Sequence, residues 1–238
     1  MATMTLEDLA AQLSRAFGDQ LIAVVLYGSA ARGEHVAERS DYNVLVLVRT
    51  LTPPALRAAS VTAHAWHAAG NPPPLILTEA EWRSSRDIFA IEYADILERH
   101  RVLTGALPDG PRTVAPENLR HQLEFEAMGK LLRLRRGILA SSGDGAEGLA
   151  LLAAARSAVL VLFRTLLRVH REAAPAASDD VIRRAAALAG FDPMVFLDLE
   201  AHARGTARIP PERADEALAA YHAALEQFVA HVDGLAAQ

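Results

Sequence analysis

Asp41 and Asn43 are two oxygen-bearing side chains that lie two positions apart at the start of an apolar segment, residues 44–48. Because side chains alternate along a strand, we expect both to point to one face of it. Gly28 and Ser29 come earlier, directly after another apolar segment. Glycine lets a backbone approach a ligand closely, and a serine at a helix start lies where free N–H groups attract phosphate. Two oxygen ligands beside such a phosphate cradle form one side of a magnesium–nucleotide site.

Short strands and helices must position these residues, and the hydrophobic pattern predicts both in the first half of the chain. Residues 21–27, LIAVVLY, form a continuous apolar run, which is typical of a strand buried on both faces. Thr5 with Asp8, and Thr78 with Glu81, have the spacing of helix capping pairs. The predicted strands are 21–27, 40–48, 75–77, 101–103 and, with a helix as the alternative, 89–93. The predicted helices are 5–17, 53–69 and one that begins at Thr78.

A segment rich in glycine and proline, residues 104–115, separates this region from a second one. We place a domain boundary there, with a first domain over 1–110 and a second over 111–238. The second region has helical periodicity throughout. Its predicted helices are 116–140, 145–172, 179–189, 193–203 and 211–234. The sequence therefore predicts an α/β domain followed by an all-α helical bundle.

Residues 28–33, GSAARG, followed by residues 40–43, SDYN, resemble the G-S-x-x-R-G … S-D-x-D signature of the DNA polymerase β-type nucleotidyltransferase superfamily. Its small members include the aminoglycoside and minimal nucleotidyltransferases. Residues 89–96 and 129–135, with Gly105, resemble a poorly characterised branch of it. The resemblance implies a nucleotidyltransferase-type α/β (α+β) mixed sheet with helices, followed by a helical bundle. It also implies NTP as substrate or ligand and Mg²⁺ as the cofactor of an active member.

By this resemblance, Gly28 and Ser29 would hold the triphosphate of the nucleotide. Arg32 would either bind phosphate, support the site, or form an ordinary surface salt bridge. Lys130 begins a basic stripe on a predicted helix, which is either a solvated face or a surface that meets a phosphate or an acidic substrate. Gly28, Ser29, Arg32 and Lys130 are thus the candidate nucleotide-binding residues.

The resemblance also assigns the metal ligands, and here the motif is degenerate. Asp41 would bind magnesium, but position 43, where the family has a second carboxylate, is Asn43. The strand at 75–77, which would supply a third carboxylate, carries none; Glu92 is the first substitute and Asp95 the second. A turn residue at Asp41, a backbone-bonded amide at Asn43 and a solvated acid at Glu92 are the structural alternatives.

Replacing a carboxylate by an amide removes one negative charge beside a dication. This loss is expected to exceed about 1.4 kcal/mol, which is a tenfold change in affinity. The sequence therefore predicts weak metal binding, one metal instead of two, or no catalysis. Asp41, Asn43 and Glu92 are the candidate catalytic residues, and Asp41 and Asn43 the candidate metal ligands.

Composition excludes several other classes of function. The formal net charge is −5, so no global positive field favours a nucleic-acid partner. Cysteine is absent, which excludes disulfides, thiolate catalysis and Cys-ligated zinc. His64 and His67 have no acidic partner nearby in the sequence and do not predict a zinc site. The start of the chain lacks a secretory pattern and no apolar run reaches about 18 residues, so we expect a cytoplasmic protein with no membrane partner.

Two classes of function fit this pattern. In the first, the protein transfers a nucleoside monophosphate from NTP to a hydroxyl of an unknown small-molecule or protein acceptor, with activity weak or lost. In the second, it is a catalytically inactive nucleotide-binding or protein-interaction module of the same fold. Family analogy alone, without a sign in the residues, adds a toxin–antitoxin role as a third class. The number of carboxylates that converge on the cleft discriminates between the first two. An apolar stripe exposed on the bundle would favour a homodimer.

Overall fold

The computed structural model describes residues 4–28, 30–31, 42–109, 113–141 and 143–235. The chain divides into two compact units, Met1–Val114 and Ala115–Gln238. The division falls at the end of the segment rich in glycine and proline.

A four-stranded mixed sheet organises the first unit. Its elements are, in chain order, α1 (Leu6–Phe17), β1 (Leu21–Tyr27), β2 (Asn43–Val48), α2 (Pro53–Ala68), β3 (Leu75–Thr78), α3 (Glu79–Ser84), α4 (Ala90–Glu98) and β4 (His100–Gly105). Strand β1 pairs antiparallel with both β2 and β4, whereas β3 pairs parallel with β2. The strand order is therefore β3-β2-β1-β4.

Capping boxes begin two of these helices, as the spacing of their residues predicts. The Thr5 hydroxyl accepts a hydrogen bond from the Asp8 amide at 3.1 Å, and the Asp8 carboxylate accepts one from the Thr5 amide at 3.1 Å. Thr78 and Glu81 exchange the same two bonds at the start of α3. Each box satisfies amide donors that a helix start would otherwise leave unpaired.

The sheet is buried on both faces, which is why β1 reads as a continuous apolar run. Val24 and Leu26 belong to a core that includes Leu9 of α1 and Trp66 of α2. A second core lies on the other face of the sheet and includes Trp82 of α3 and residues of α4. The strand residues that point into it alternate with those of the first core; they are Ala23 and Val25 of β1, and Leu45 and Leu47 of β2. A strand covered on both sides needs apolar side chains at every position.

The strand expected over residues 89–93 is not formed; these residues lead into helix α4, the alternative that the sequence left open. Ala90, Tyr93 and Ile96 recur at three-residue spacing and are all buried. Tyr93 stacks on Trp82 with ring centroids 4.1 Å apart, and its hydroxyl donates to the Trp82 carbonyl. Only a helical backbone brings three residues at this spacing to one face. Glu92 therefore lies on a helix.

The second unit is all-helical in its described residues. Its helices are α5 (Pro116–Ala140), α6 (Gly145–Val169), α7 (Ser178–Ala189), α8 (Met194–Arg204) and α9 (Ala214–Gly234). Helix α6 is central and contacts the other four. Phe163 of α6 lies at the middle of an aromatic cluster, with ring centroids 5.0–5.1 Å from those of Phe191, Phe196 and Phe228.

Helix ends in this unit differ from the expected ones by a few residues. The helix expected over 145–172 ends at Val169, because Arg171 has a φ of 59° in the left-handed region. The last helix begins at Ala214, after a single 3₁₀ turn, Pro211–Arg213. Among the described residues, α6 is the one helix long and apolar enough to cross a membrane by length and composition, and the core helix of a bundle meets the same criteria.

Candidate functional site

Asn43, Tyr27 and His100 form a row of polar side chains across one end of the sheet. Tyr27, the last residue of β1, pairs with Asn43 of β2 on one side and with His100 of β4 on the other. Directly paired residues of antiparallel strands point to the same face. Tyr27 packs against the core that contains Trp82 and Tyr93. The row therefore lies on the face of the sheet that α3 and α4 cover.

Two carboxylates approach this row from α4. The pKa of Tyr27 is raised to about 12, first by burial and then by the negative charges of Glu92 and Asp95. Helix α4 ends two residues before His100, the partner of Tyr27 in β4, so both carboxylates belong to a helix that ends beside the end of β1. They are three residues apart and share one side of the helix. Asp95 is buried, with 8% of its surface exposed, whereas Glu92 is half-buried.

Gly28 follows this row directly, and its conformation requires glycine. Its φ is +78°, and a Cβ atom added there would lie 2.8 Å from Nδ2 of Asn43. The Asn43 amide therefore packs against the Gly28 backbone at the point where β1 ends. The close approach that the sequence predicted at Gly28 is made here by a side chain of the protein itself.

Asn71, in the loop after α2, fixes the residue that precedes Asn43. Its side-chain oxygen accepts a hydrogen bond from the Tyr42 amide at 3.1 Å, and it is buried. The Tyr42 ring lies 5.9 Å from the ring of Trp66, centroid to centroid. These contacts hold the start of β2 in register. The sequence does not predict the role of Asn71, because no local pattern links it to a strand that begins 28 positions earlier. Tyr27 could have been identified from the sequence, because it is a polar side chain between an apolar strand and Gly28.

The chain is similar to known proteins in structure alone. Neither a family model nor a curated protein sequence matches the chain. A crystal structure of a spectinomycin adenyltransferase from Enterococcus faecialis, determined with ATP and spectinomycin, matches it with a TM-score of 0.61. The match covers 94% of this chain and 96% of that chain, at 12% sequence identity.

The chain has a nucleotidyltransferase-type fold. The mixed sheet and the all-helical second unit expected from the sequence are thus confirmed. At this level of identity the likeness concerns the fold, and the activity has to be argued from the residues.

Within this nucleotidyltransferase-type fold, the predicted site residues of the first unit divide into two groups. Ser29, Arg32 and Asp41 lie outside the described residues, and their roles remain predictions. Gly28, Asn43 and Glu92 are described: the first two are in contact at the end of β1, and Glu92 lies on the helix that ends beside it. In the described part of the chain, no three His, Asp or Glu side chains group as a metal site. Any metal there would therefore depend on Asp41 as well.

Lys130 lies in the helical unit, on α5. Its Nζ atom is 2.8 Å from Oε2 of Glu126, one helical turn earlier. With Arg133 it borders a cleft between helices of that unit. The ion pair fits the interpretation as part of an ordinary helix face, and its nucleotide-binding role remains a prediction.

Proposed function

We propose that the first unit binds a nucleoside triphosphate with Mg²⁺ at the end of β1, and that the chain transfers the nucleoside monophosphate to an acceptor hydroxyl. The observation that carries this proposal is that α4, which bears Glu92 and Asp95, ends beside the strand end that holds Gly28 and Asn43. The fold, shared with an adenyltransferase whose structure holds ATP and spectinomycin, supports it.

The side chains available at this strand end offer the type of ligand atom that magnesium binds. Mg²⁺ prefers hard oxygen ligands, which the carboxylate of Asp41 and the amide oxygen of Asn43 supply, with Glu92 as a further negative charge nearby. Bound there, Mg²⁺ would neutralise phosphate charge as it develops. The amide at position 43 makes this set less negative by one charge, so we expect weak metal binding.

Transfer would proceed by attack of the acceptor oxygen on the α-phosphorus. A bond forms between these two atoms, and the bond from the α-phosphorus to the oxygen bridging to the β-phosphorus breaks. Pyrophosphate leaves with that oxygen. The proton of the acceptor hydroxyl passes to a carboxylate of α4, and Glu92 is the better placed, because it is the less buried of the two.

The alternative function is a nucleotide-binding or protein-interaction module without catalysis. It is favoured by Asn43, a neutral side chain where the superfamily signature has a carboxylate. It is also favoured by exposed apolar side chains on α5, since Phe125 is 77% and Leu139 83% exposed. Such side chains are the kind of surface that a partner protein or a second copy of the chain would cover.

Calorimetric titration of the full chain with ATP, GTP, CTP and UTP, with and without Mg²⁺, tests the proposal. Magnesium-dependent binding that is lost in Asp41→Ala supports the nucleotide site. Release of pyrophosphate on addition of an aminocyclitol such as spectinomycin would then support transfer. Nucleotide binding without release of pyrophosphate, whichever hydroxyl acceptor is added, would favour a nucleotide-binding module. No heat with any nucleotide would overturn the transfer proposal and leave the protein-interaction module.

A further inference from the structure

Helix α5 carries two apolar stripes, although a helix that packs on one core needs only one. The buried stripe faces the bundle and consists of Leu119, Leu123, Ala127, Leu131 and Leu134. The second, which we call the outer stripe, is exposed and consists of Phe125, Met128, Leu132 and Leu139. Its members are three, four and seven residues apart, so they lie on one side of the helix, away from the buried stripe.

Gly129 lies beside this outer stripe, near the midpoint of the 25-residue helix. Glycine is unfavourable in a helix interior compared with alanine. A Cβ atom at Gly137, in the same helix, would lie 2.5 Å from Leu151 of α6, so packing within the chain explains that glycine. At Gly129 no described atom lies within 4 Å of the Cβ position. A glycine on an outer face allows a second helix to approach closely.

The charges of α5 are segregated along its length. Its first half, residues 116–128, carries three acids and one base, whereas its second half, residues 129–140, carries four bases and no acid. Several of these charges are held in ion pairs within the helical unit, namely Glu124 with Arg120, Glu126 with Lys130, and Arg135 with Glu226. Among the described residues, the exposed charges of α5 outside these pairs are Glu117 in the first half and Arg133 and Arg136 in the second.

A second copy of the same helix complements this charge pattern when it runs antiparallel. The acidic first half of each copy then lies along the basic second half of the other, whereas a parallel pair would place like charges together. A two-fold interface uses the same surface of both copies and must be complementary to itself, and α5 meets this condition. The charge pattern therefore favours a second copy of this chain over an unrelated partner.

We propose that two copies of the chain associate through the outer stripe of α5, with the two helices antiparallel and crossing near Gly129. Each copy contributes four apolar side chains, which is a small interface, so the association is reversible, with a dissociation constant of about 1–100 μM. The interface belongs to the helical unit alone. It does not depend on nucleotide binding by the first unit.

Sedimentation of the full chain from about 1 to 200 μM tests the association. We expect the mass to rise from that of a monomer to that of a dimer across this range. Phe125→Glu should raise the dissociation constant at least about tenfold, because it places a charge in an apolar contact. Val61→Glu on α2 is the matched control and should dimerise as the native chain does. The two positions are 77% and 76% exposed, so both variants are expected to fold.

Gly129→Ala separates a role in the interface from a role in the helix. The added methyl group should keep the two helices apart and weaken the dimer severalfold. The same change should make the monomer more resistant to urea, because alanine is the better helix former. A glycine with no role in association would change the stability alone.

Cysteine cross-linking tests the antiparallel orientation, and the chain has no native cysteine to interfere. Met128→Cys lies near the middle of α5, so the two copies of this residue should meet and form a disulfide on oxidation. Leu139→Cys lies near the end of the helix. Antiparallel pairing holds its two copies about 30 Å apart, so this variant should not cross-link.

The proposal is wrong if the native chain stays monomeric up to about 200 μM, or if Phe125→Glu dimerises as well as Val61→Glu. Equal cross-linking of Met128→Cys and Leu139→Cys would overturn the antiparallel arrangement. A Gly129→Ala variant with the native dissociation constant would contradict the crossing at the middle of α5.

Discussion

The amide of Asn43 packs against the backbone of Gly28, so closely that a Cβ atom at Gly28 would lie 2.8 Å from Nδ2. The two residues lie on adjoining strand ends, since Asn43 pairs with Tyr27, the residue before Gly28. A glycine and an amide that the sequence places 15 positions apart are thus one local structure. Any ligand that approaches Gly28 also meets Asn43.

Gly28→Ala is expected to destabilise the first unit by about 1–2 kcal/mol through its positive φ, and to displace the Asn43 amide as well. Gly70→Ala is the matched control in the same unit, because Gly70 has a φ of +92° and open space at its Cβ position. Chemical denaturation should show the larger loss for Gly28→Ala. Equal losses would mean that the contact with Asn43 has no energetic consequence.

Glu92→Gln is expected to lower the affinity for Mg²⁺-ATP, or the rate of transfer, by about tenfold or more, because it removes a charge from beside the metal. Glu98→Gln, an exposed acid at the end of the same helix, is the control and should bind as the native chain does. Titration calorimetry with Mg²⁺-ATP measures both. An equal effect of the two variants would place Glu92 outside the site.

Gly105→Ala is expected to disrupt the sheet. A Cβ atom there would lie 1.9 Å from the carbonyl oxygen of Ile22, and the φ of Gly105 is +73°. The atom in the way belongs to the backbone of β1, so relief requires the two strands to separate. We expect a loss of about 3 kcal/mol or more in urea denaturation, several times that of Gly70→Ala. A loss no larger than that of the control would contradict this packing.

Acid is expected to destabilise the helical unit through His231. Burial, and then the nearby His170, lower the pKa of His231 below the usual histidine value of about 6.5. The unfolded chain therefore takes up a proton near pH 6.5 that the folded chain resists, and stability falls as the pH drops below that value. The native chain should lose stability between pH 7 and about pH 5.5 more steeply than His231→Phe. Parallel slopes would exclude His231 as the cause.

Local patterns predicted those elements whose ends are marked by capping residues. Helix α5 begins at Pro116 and ends at Ala140, as expected, because proline favours the first helical turn. Both predicted capping boxes are present. The ends of α4 could not be predicted, because residues 89–93 fit a period of two as well as one short helical face. Stacking of Tyr93 on Trp82 decides between them, and that contact is tertiary.

The residues of the candidate site could be predicted from the sequence motif, but their arrangement in space could not. Gly28 and Asn43 were found from residue type and spacing, and Glu92 from the resemblance. The positions of Tyr27 and His100 follow from strand register, which joins residues 73 positions apart. Register is set by which side chains are buried across a whole sheet, and a motif of a few residues does not contain that information.

The dissociation constant of Mg²⁺-ATP for Asn43→Asp, compared with the native chain, tests the central claim most directly. Gln227→Glu, which adds the same charge at an exposed position of α9, is the control. If the end of β1 is a metal–nucleotide site with one carboxylate replaced, Asn43→Asp should bind ATP at least about tenfold more tightly with Mg²⁺ and more weakly without it. Unchanged binding in both conditions, with the variant folded, would contradict the account.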